Sequence, residues 1–95
     1  MKGQFLIHAA KDYVGVAVED IPGGKIVTGV YMDSGKTVDV KSRSNIPLGH
    51  KISIKQVNKG EKLLEYGEVI GAATKNIRVG DHVHVHNIKT LRWSL

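Results

Sequence analysis

The sequence predicts an all-β domain of short strands and glycine turns, and three observations carry that expectation. Eleven glycines and only two prolines are spread among short runs rich in valine and isoleucine, residues that suit a half-buried pleated surface. Four segments repeat one pattern: Ile21-x-x-Gly24-x-x-Val27, Ile46-x-x-Gly49-x-x-Ile52, Val57-x-x-Gly60-x-x-Leu63 and Ile77-x-x-Gly80-x-x-Val83. Each glycine can supply the positive φ of a tight turn, after which the chain re-enters a strand with its aliphatic residue facing inward. The copies are unequally spaced, which excludes a solenoid of fixed period. Finally, His82-Val83-His84-Val85-His86 alternates polar and apolar residues with period two, as a strand with one wet face does.

In chain order, strands are expected over 5–8, 13–18, 26–32, 37–40, 52–57, 63–66 and 82–86. Asp33-Ser34-Gly35-Lys36 reads as the hairpin turn between the third and fourth. The region 70–76 is the one candidate helix, weakened by Gly71. One domain is expected over 1–90, followed by a tail, 91–95, whose Trp93 would pack on the domain or on a partner.

Ninety-five residues hold one modest core. Only Phe5, Tyr13, Tyr31, Tyr66 and Trp93 are aromatic, so that core must be aliphatic. With 41% hydrophobic residues, disorder is excluded. Cysteine is absent, which rules out disulfides and thiolate metal sites. The apolar N-terminal segment is too short and too polar for a signal-peptide core, and no run reaches membrane-spanning length. A cytoplasmic protein without membrane contact is the expectation. The net charge of +5 and pI near 9.6 favour anionic partners. Scattered lysines and few stacking aromatics count against nucleic acid, and a small carboxylate or sulfonate fits the charge equally well.

The histidine run carries the chemistry. On a strand, His82, His84 and His86 would stand about 7 Å apart in succession, with Val83 and Val85 facing the core. Neighbouring imidazoles could share an ion. The outer pair, about 13 Å apart, could do so only if the strand bent sharply or another loop completed the site. Imidazole is the commonest protein metal ligand and also moves protons or holds anions. A wet strand face is the plainer alternative for any one of the three.

The order of motifs resembles the altronate and galactarate dehydratase family. It runs from His8-x-x-x-Asp12-x-Val14 through Ile46-Pro47-Leu48-Gly49-His50-Lys51-Ile52, Glu65-Tyr66-Gly67 and Ile70-Gly71 to Gly80-Asp81-His82-Val83-His84-Val85-His86-Asn87. The chain is similar to that family's N-terminal SAF, or β-clip, domain. Because it stops where a large domain would begin, it also resembles the separate small subunit of two-subunit altronate dehydratases and of sulfolactate sulfo-lyases. Gly15-Val16-Ala17-Val18-Glu19-Asp20, Val30-Tyr31-Met32-Asp33-Ser34 and Lys89-Thr90-Leu91-Arg92-Trp93 favour the sulfo-lyases, whereas His82 matches the sugar-acid dehydratases better.

The resemblance implies a large catalytic partner, a small hydroxy-acid substrate, and β-elimination of water or bisulfite. It implies a divalent metal in the assembled enzyme, ferrous iron being a candidate, with none retained by the isolated chain. His84 and His86 are the expected metal ligands. His50, Lys51, His84, His86 and Asn87 are the expected substrate-binding residues, Asn87 alternatively fixing its turn. His8 and Asp12 are expected to be structural or superficial, and Lys89 and Thr90 either line the site or are solvated. No catalytic triad or phosphate-binding loop stands out, so the chain is expected to be inactive alone. The alternatives are a stand-alone basic module for nucleic acid or another anion, and a histidine metal-binding domain. Self-association through strand edges also stays open.

Overall fold

The computed structural model describes residues 3–90. Nine strands and no helix are found among them: β1 Phe5–Ile7, β2 Val14–Ala17, β3 Ile26–Tyr31, β4 Thr37–Lys41, β5 Lys51–Ser53, β6 Lys62–Glu65, β7 Glu68–Ala73, β8 His82–Val83 and β9 Ile88–Lys89. A six-stranded sheet runs β4-β3-β1-β2-β5-β8, and a three-stranded sheet runs β6-β7-β9. All pairs are antiparallel except β1 with β3. The all-β expectation holds.

The glycine pattern organises both cores. Gly24, Gly49, Gly60 and Gly80 all take positive φ, from 81° to 93°. The aliphatic residues that open the four turns pair off: Ile21 bridges Ile46, and Val57 bridges Ile77, each through two reciprocal backbone hydrogen bonds. The eight aliphatic residues of the pattern are all buried. Ile21, Val27, Ile46 and Ile52 join Phe5, Ile7, Ala17 and Val40 in one core. Val57, Leu63, Ile77 and Val83 join Val14 and Ala73 in the other. Two paired turns therefore close each core.

The β3–β4 hairpin turns at Gly35 as expected, with the Gly35 N–H donating to the Tyr31 carbonyl at 2.8 Å. Three expectations are corrected. The candidate helix 70–76 is largely β7, a strand paired on both edges. Gly71 packs so closely there that an added Cβ would stand 2.7 Å from the Lys89 carbonyl oxygen. The strand expected over 52–57 stops at Ser53, whose hydroxyl turns back to the Lys55 carbonyl at 2.6 Å. The histidine strand 82–86 ends at Val83, because residues 84–87 form a turn. Val85 is consequently 81% exposed instead of facing the core. The expectation for Trp93 lies outside the described residues.

Candidate functional site

Both arms of the site leave equivalent glycine turns. After Gly49, His50 donates its N–H to the Pro47 carbonyl at 2.9 Å and leads into β5. After Gly80, His82 opens β8. These strands pair, with Ile52 opposite His82 and Lys51 opposite Val83. His50 and His82 are thereby drawn together until Nδ1 of the first and Nε2 of the second lie 2.8 Å apart. At that distance one ring donates and the other accepts, so the shared bond requires at least one neutral imidazole.

The remaining rings come from the turn beyond β8, which Asn87 holds. Its Oδ1 accepts from the His84 N–H at 2.9 Å, and its Nδ2 donates to the His82 carbonyl at 2.7 Å. Its own N–H donates to the His84 carbonyl at 3.0 Å. Asn87 is buried, and these bonds give it the turn-fixing role that was one of its two expected ones. The turn folds His84 back onto the pair. Its ring stacks on His50 at 4.6 Å between centroids, and the His82 and His84 rings lie 5.5 Å apart and nearly parallel at 9°. His86 reaches His82 at 5.3 Å.

One ring nitrogen from each of His50, His82 and His84 lies within 4.8 Å of the others. Three nitrogens bound to one ion at about 2.1 Å would stand about 3.4 Å apart, so modest ring rotation would bring this set to ligation distance. The donor set is wholly imidazole and fits zinc, iron, cobalt or nickel better than calcium or magnesium. Burial, reinforced by His50, His86 and His84, holds the His82 pKa below the ordinary imidazole value. Both effects favour its neutral, ligating form.

Of the expected residues, the structure thus gathers His50 and His84, with His86 beside them, and adds His82 as a central member. The missed signal was the equivalence of the Gly49 and Gly80 turns, which launches His50 and His82 into neighbouring strands. Lys51 goes elsewhere. Strand alternation sends it to the sheet face opposite His82, where its Nζ lies 3.8 Å from Glu65 Oε1. Burial raises the Glu65 pKa, Lys51 opposing and Asp12 adding to the rise. Asp12 is fully buried and its carboxylate accepts the Tyr66 and Gly67 N–H groups at 3.0 and 3.3 Å. His8 packs against the Tyr66 ring, centroids 4.2 Å apart and planes tilted by 33°. Asp12 is therefore structural, as expected.

Known proteins bear on this geometry. Residues 3–91 match the family model described as the altronate/galactarate dehydratase SAF domain. The chain is 42% identical to (2R)-sulfolactate sulfo-lyase subunit alpha of Chromohalobacter salexigens over 94 residues, covering 98% of this chain and 100% of that one. It is 36% identical over 90 residues to altronate dehydratase of Bacillus subtilis, covering 95% of this chain but only 17% of the relative. Altronate dehydratase of Escherichia coli is 37% identical over 87 residues, covering 92% of this chain and 16% of the relative. With nearly its whole length matched by that model, the chain belongs to the altronate/galactarate dehydratase SAF domain family.

Proposed function

We propose that this chain is the small subunit of a two-subunit lyase that catalyses β-elimination from a 2-hydroxy acid, and that it works only with a large catalytic partner. The end-to-end match to a protein named as subunit alpha of a sulfo-lyase carries the reading. In the altronate dehydratases the same domain is a small part of a much longer chain. The higher identity, over the whole of subunit alpha, puts elimination of bisulfite from a sulfolactate-type substrate first and dehydration of a sugar acid second.

In either reaction a base takes the proton α to the carboxylate and the leaving group departs from the β-carbon. The enol so formed tautomerises to a 2-keto acid. The α-proton is weakly acidic, so charge developing on the carboxylate must be stabilised. A divalent ion held by His50, His82 and His84 would supply that stabilisation as a Lewis acid. His86, beside His82, would bind a substrate oxygen or carry a proton. Asn87 acts by holding the turn that presents His84. Lys51, paired with Glu65 on the opposite face, would have to leave that partner to meet the same substrate.

The test mixes the purified chain with a large subunit encoded in the same genome and assays sulfolactate, altronate and galactarate. Turnover is expected only in the mixture, and His82→Ala should abolish most of it. Robust turnover by the chain alone, or none in the mixture with any of the three acids, would refute the reading.

A further inference from the structure

A groove lies close along the chain to the histidine cluster, its last lining residue, Pro47, being three residues before His50. Asp20, Ile21, Pro22, Asn45, Ile46 and Pro47 line this shallow groove of about 390 Å³, built where the first two glycine turns bridge. The next residue, Leu48, is 60% exposed. Its N–H is fastened to Asp20 Oδ1 at 2.8 Å, which fixes the turn that displays it. Two residues later His50 stacks on His84, and beyond His84 stands Val85, exposed more than any other large apolar residue described. Exposed leucine and valine on two pinned turns, flanking polar rings, are what a docking rim looks like before its partner arrives.

We infer that this rim, from the Pro22–Pro47 groove across Leu48 to Val85, is the surface on which the large catalytic subunit seats, closing over the histidines. The inference rests on the function proposed above. Its occupant follows from two observations. In the altronate dehydratases the matching segment is one part of a longer chain, so the tether itself holds the domain against the remainder at a high effective concentration. The relative matched end to end is named as a subunit, and a subunit without that tether draws its affinity from its contact surface. The cluster itself, moreover, is open to water: His84 and His86 are exposed. A desolvated site therefore requires a cover on this side. Another exposed apolar group, Val18, Met32 and Tyr66, lines a smaller cavity against Glu65. A partner seated there would leave the histidines in bulk solvent.

The experiment measures binding of the purified large subunit to the wild-type chain and to Leu48→Asp, Val85→Asp and Met32→Asp, with thermal melts confirming that each folds. Leu48→Asp and Val85→Asp should each weaken binding by about tenfold or more, as expected for charging a side chain that becomes buried. Met32→Asp should stay within about twofold. The inference is overturned if the complex forms and the two rim variants bind like wild type, or if Met32→Asp is the variant that weakens it. It is also overturned if the rim variants instead dissolve a self-associated form of this chain, which would make a second copy the occupant. Absence of any wild-type complex would sink the parent reading, a result distinct from a complex indifferent to the rim.

Discussion

Replacing Asp12 by alanine should destabilise the domain more than any exposed change, although Asp12 lies far in sequence from the clustered histidines. Its carboxylate is fully buried and accepts two backbone N–H groups, from Tyr66 at 3.0 Å and from Gly67 at 3.3 Å. Those residues form the turn between β6 and β7, and both take positive φ, 56° and 72°. Tyrosine resists that conformation, so the turn needs outside support. A hydrogen bond to a charged group contributes about 1.5–3 kcal/mol, and the longer of this pair falls near the lower end. Leaving both donors without an acceptor should therefore cost about 3 kcal/mol, against a total stability of about 5–15 kcal/mol for a small domain. For a domain of this size that corresponds to a fall in Tm of about 12–24 °C. Urea unfolding followed by circular dichroism provides the measurement, with Asp12→Asn, which keeps one acceptor oxygen, expected to fall between. A loss under about 1 kcal/mol for Asp12→Ala would show that water replaces the carboxylate and that the turn does not depend on it.

The other expected outcomes concern the site and its supports. Gly80→Ala should prevent stable folding or sharply lower Tm, because the added Cβ would run into the Lys41 carbonyl oxygen at a φ of 93°; a wild-type melt would refute the close packing before β8. His82 has a folded pKa below its ordinary value of 6.5. Between those two values the unfolded chain binds more protons, so this contribution is intact above pH 6.5 and is lost as pH falls through the folded value. Urea midpoints measured from pH 8 to pH 5 should decline, and His82→Gln should flatten the decline. Glu65 has the opposite sign: its folded pKa is raised, so its ionisation opposes folding as pH rises through that value. Glu65→Gln should therefore raise Tm at pH 8 relative to wild type and lose that advantage at pH 4; a fall at pH 8 would show that the Lys51 contact outweighs burial.

What the sequence disclosed is local, and what it concealed depends on pairing across the chain. A glycine three residues from each of two aliphatic residues specifies a turn and two inward-facing side chains without reference to anything distant. All four copies accordingly behave alike. Val85 shows the limit of such reasoning. Its alternation with three histidines predicts a buried strand residue, yet Asn87 bonds back to the His82 carbonyl and the His84 N–H and bends the chain into a turn instead. An asparagine able to cap its own turn competes with a strand ladder, and here the cap wins. In β7 the competition runs the other way, since Gly71 looks like a helix breaker or a loop until Lys89 is seen lying against it. The meeting of His50 with His82 follows from a pairing between residues thirty-two apart, which the equivalence of the Gly49 and Gly80 turns hints at but does not specify.

The bend that hides Val85's fate from the sequence is also what makes a site. A straight strand would have spread its three imidazoles along one face, too far apart at the ends for a common ligand. Ending the strand at Val83 lets the turn swing His84 over His50, while the β5–β8 pairing supplies the second loop. That pairing is also the seam between the two cores: Ile52 on β5 is buried in the first core and Val83 on β8 in the second. The cluster therefore draws one ring from the Gly49 turn, which closes the first core, and the others from β8 and its following turn, which belong to the second. Any ion or anion held jointly by His50 and His84 must bridge the halves, so ligand binding and the docking of the two cores are thermodynamically linked.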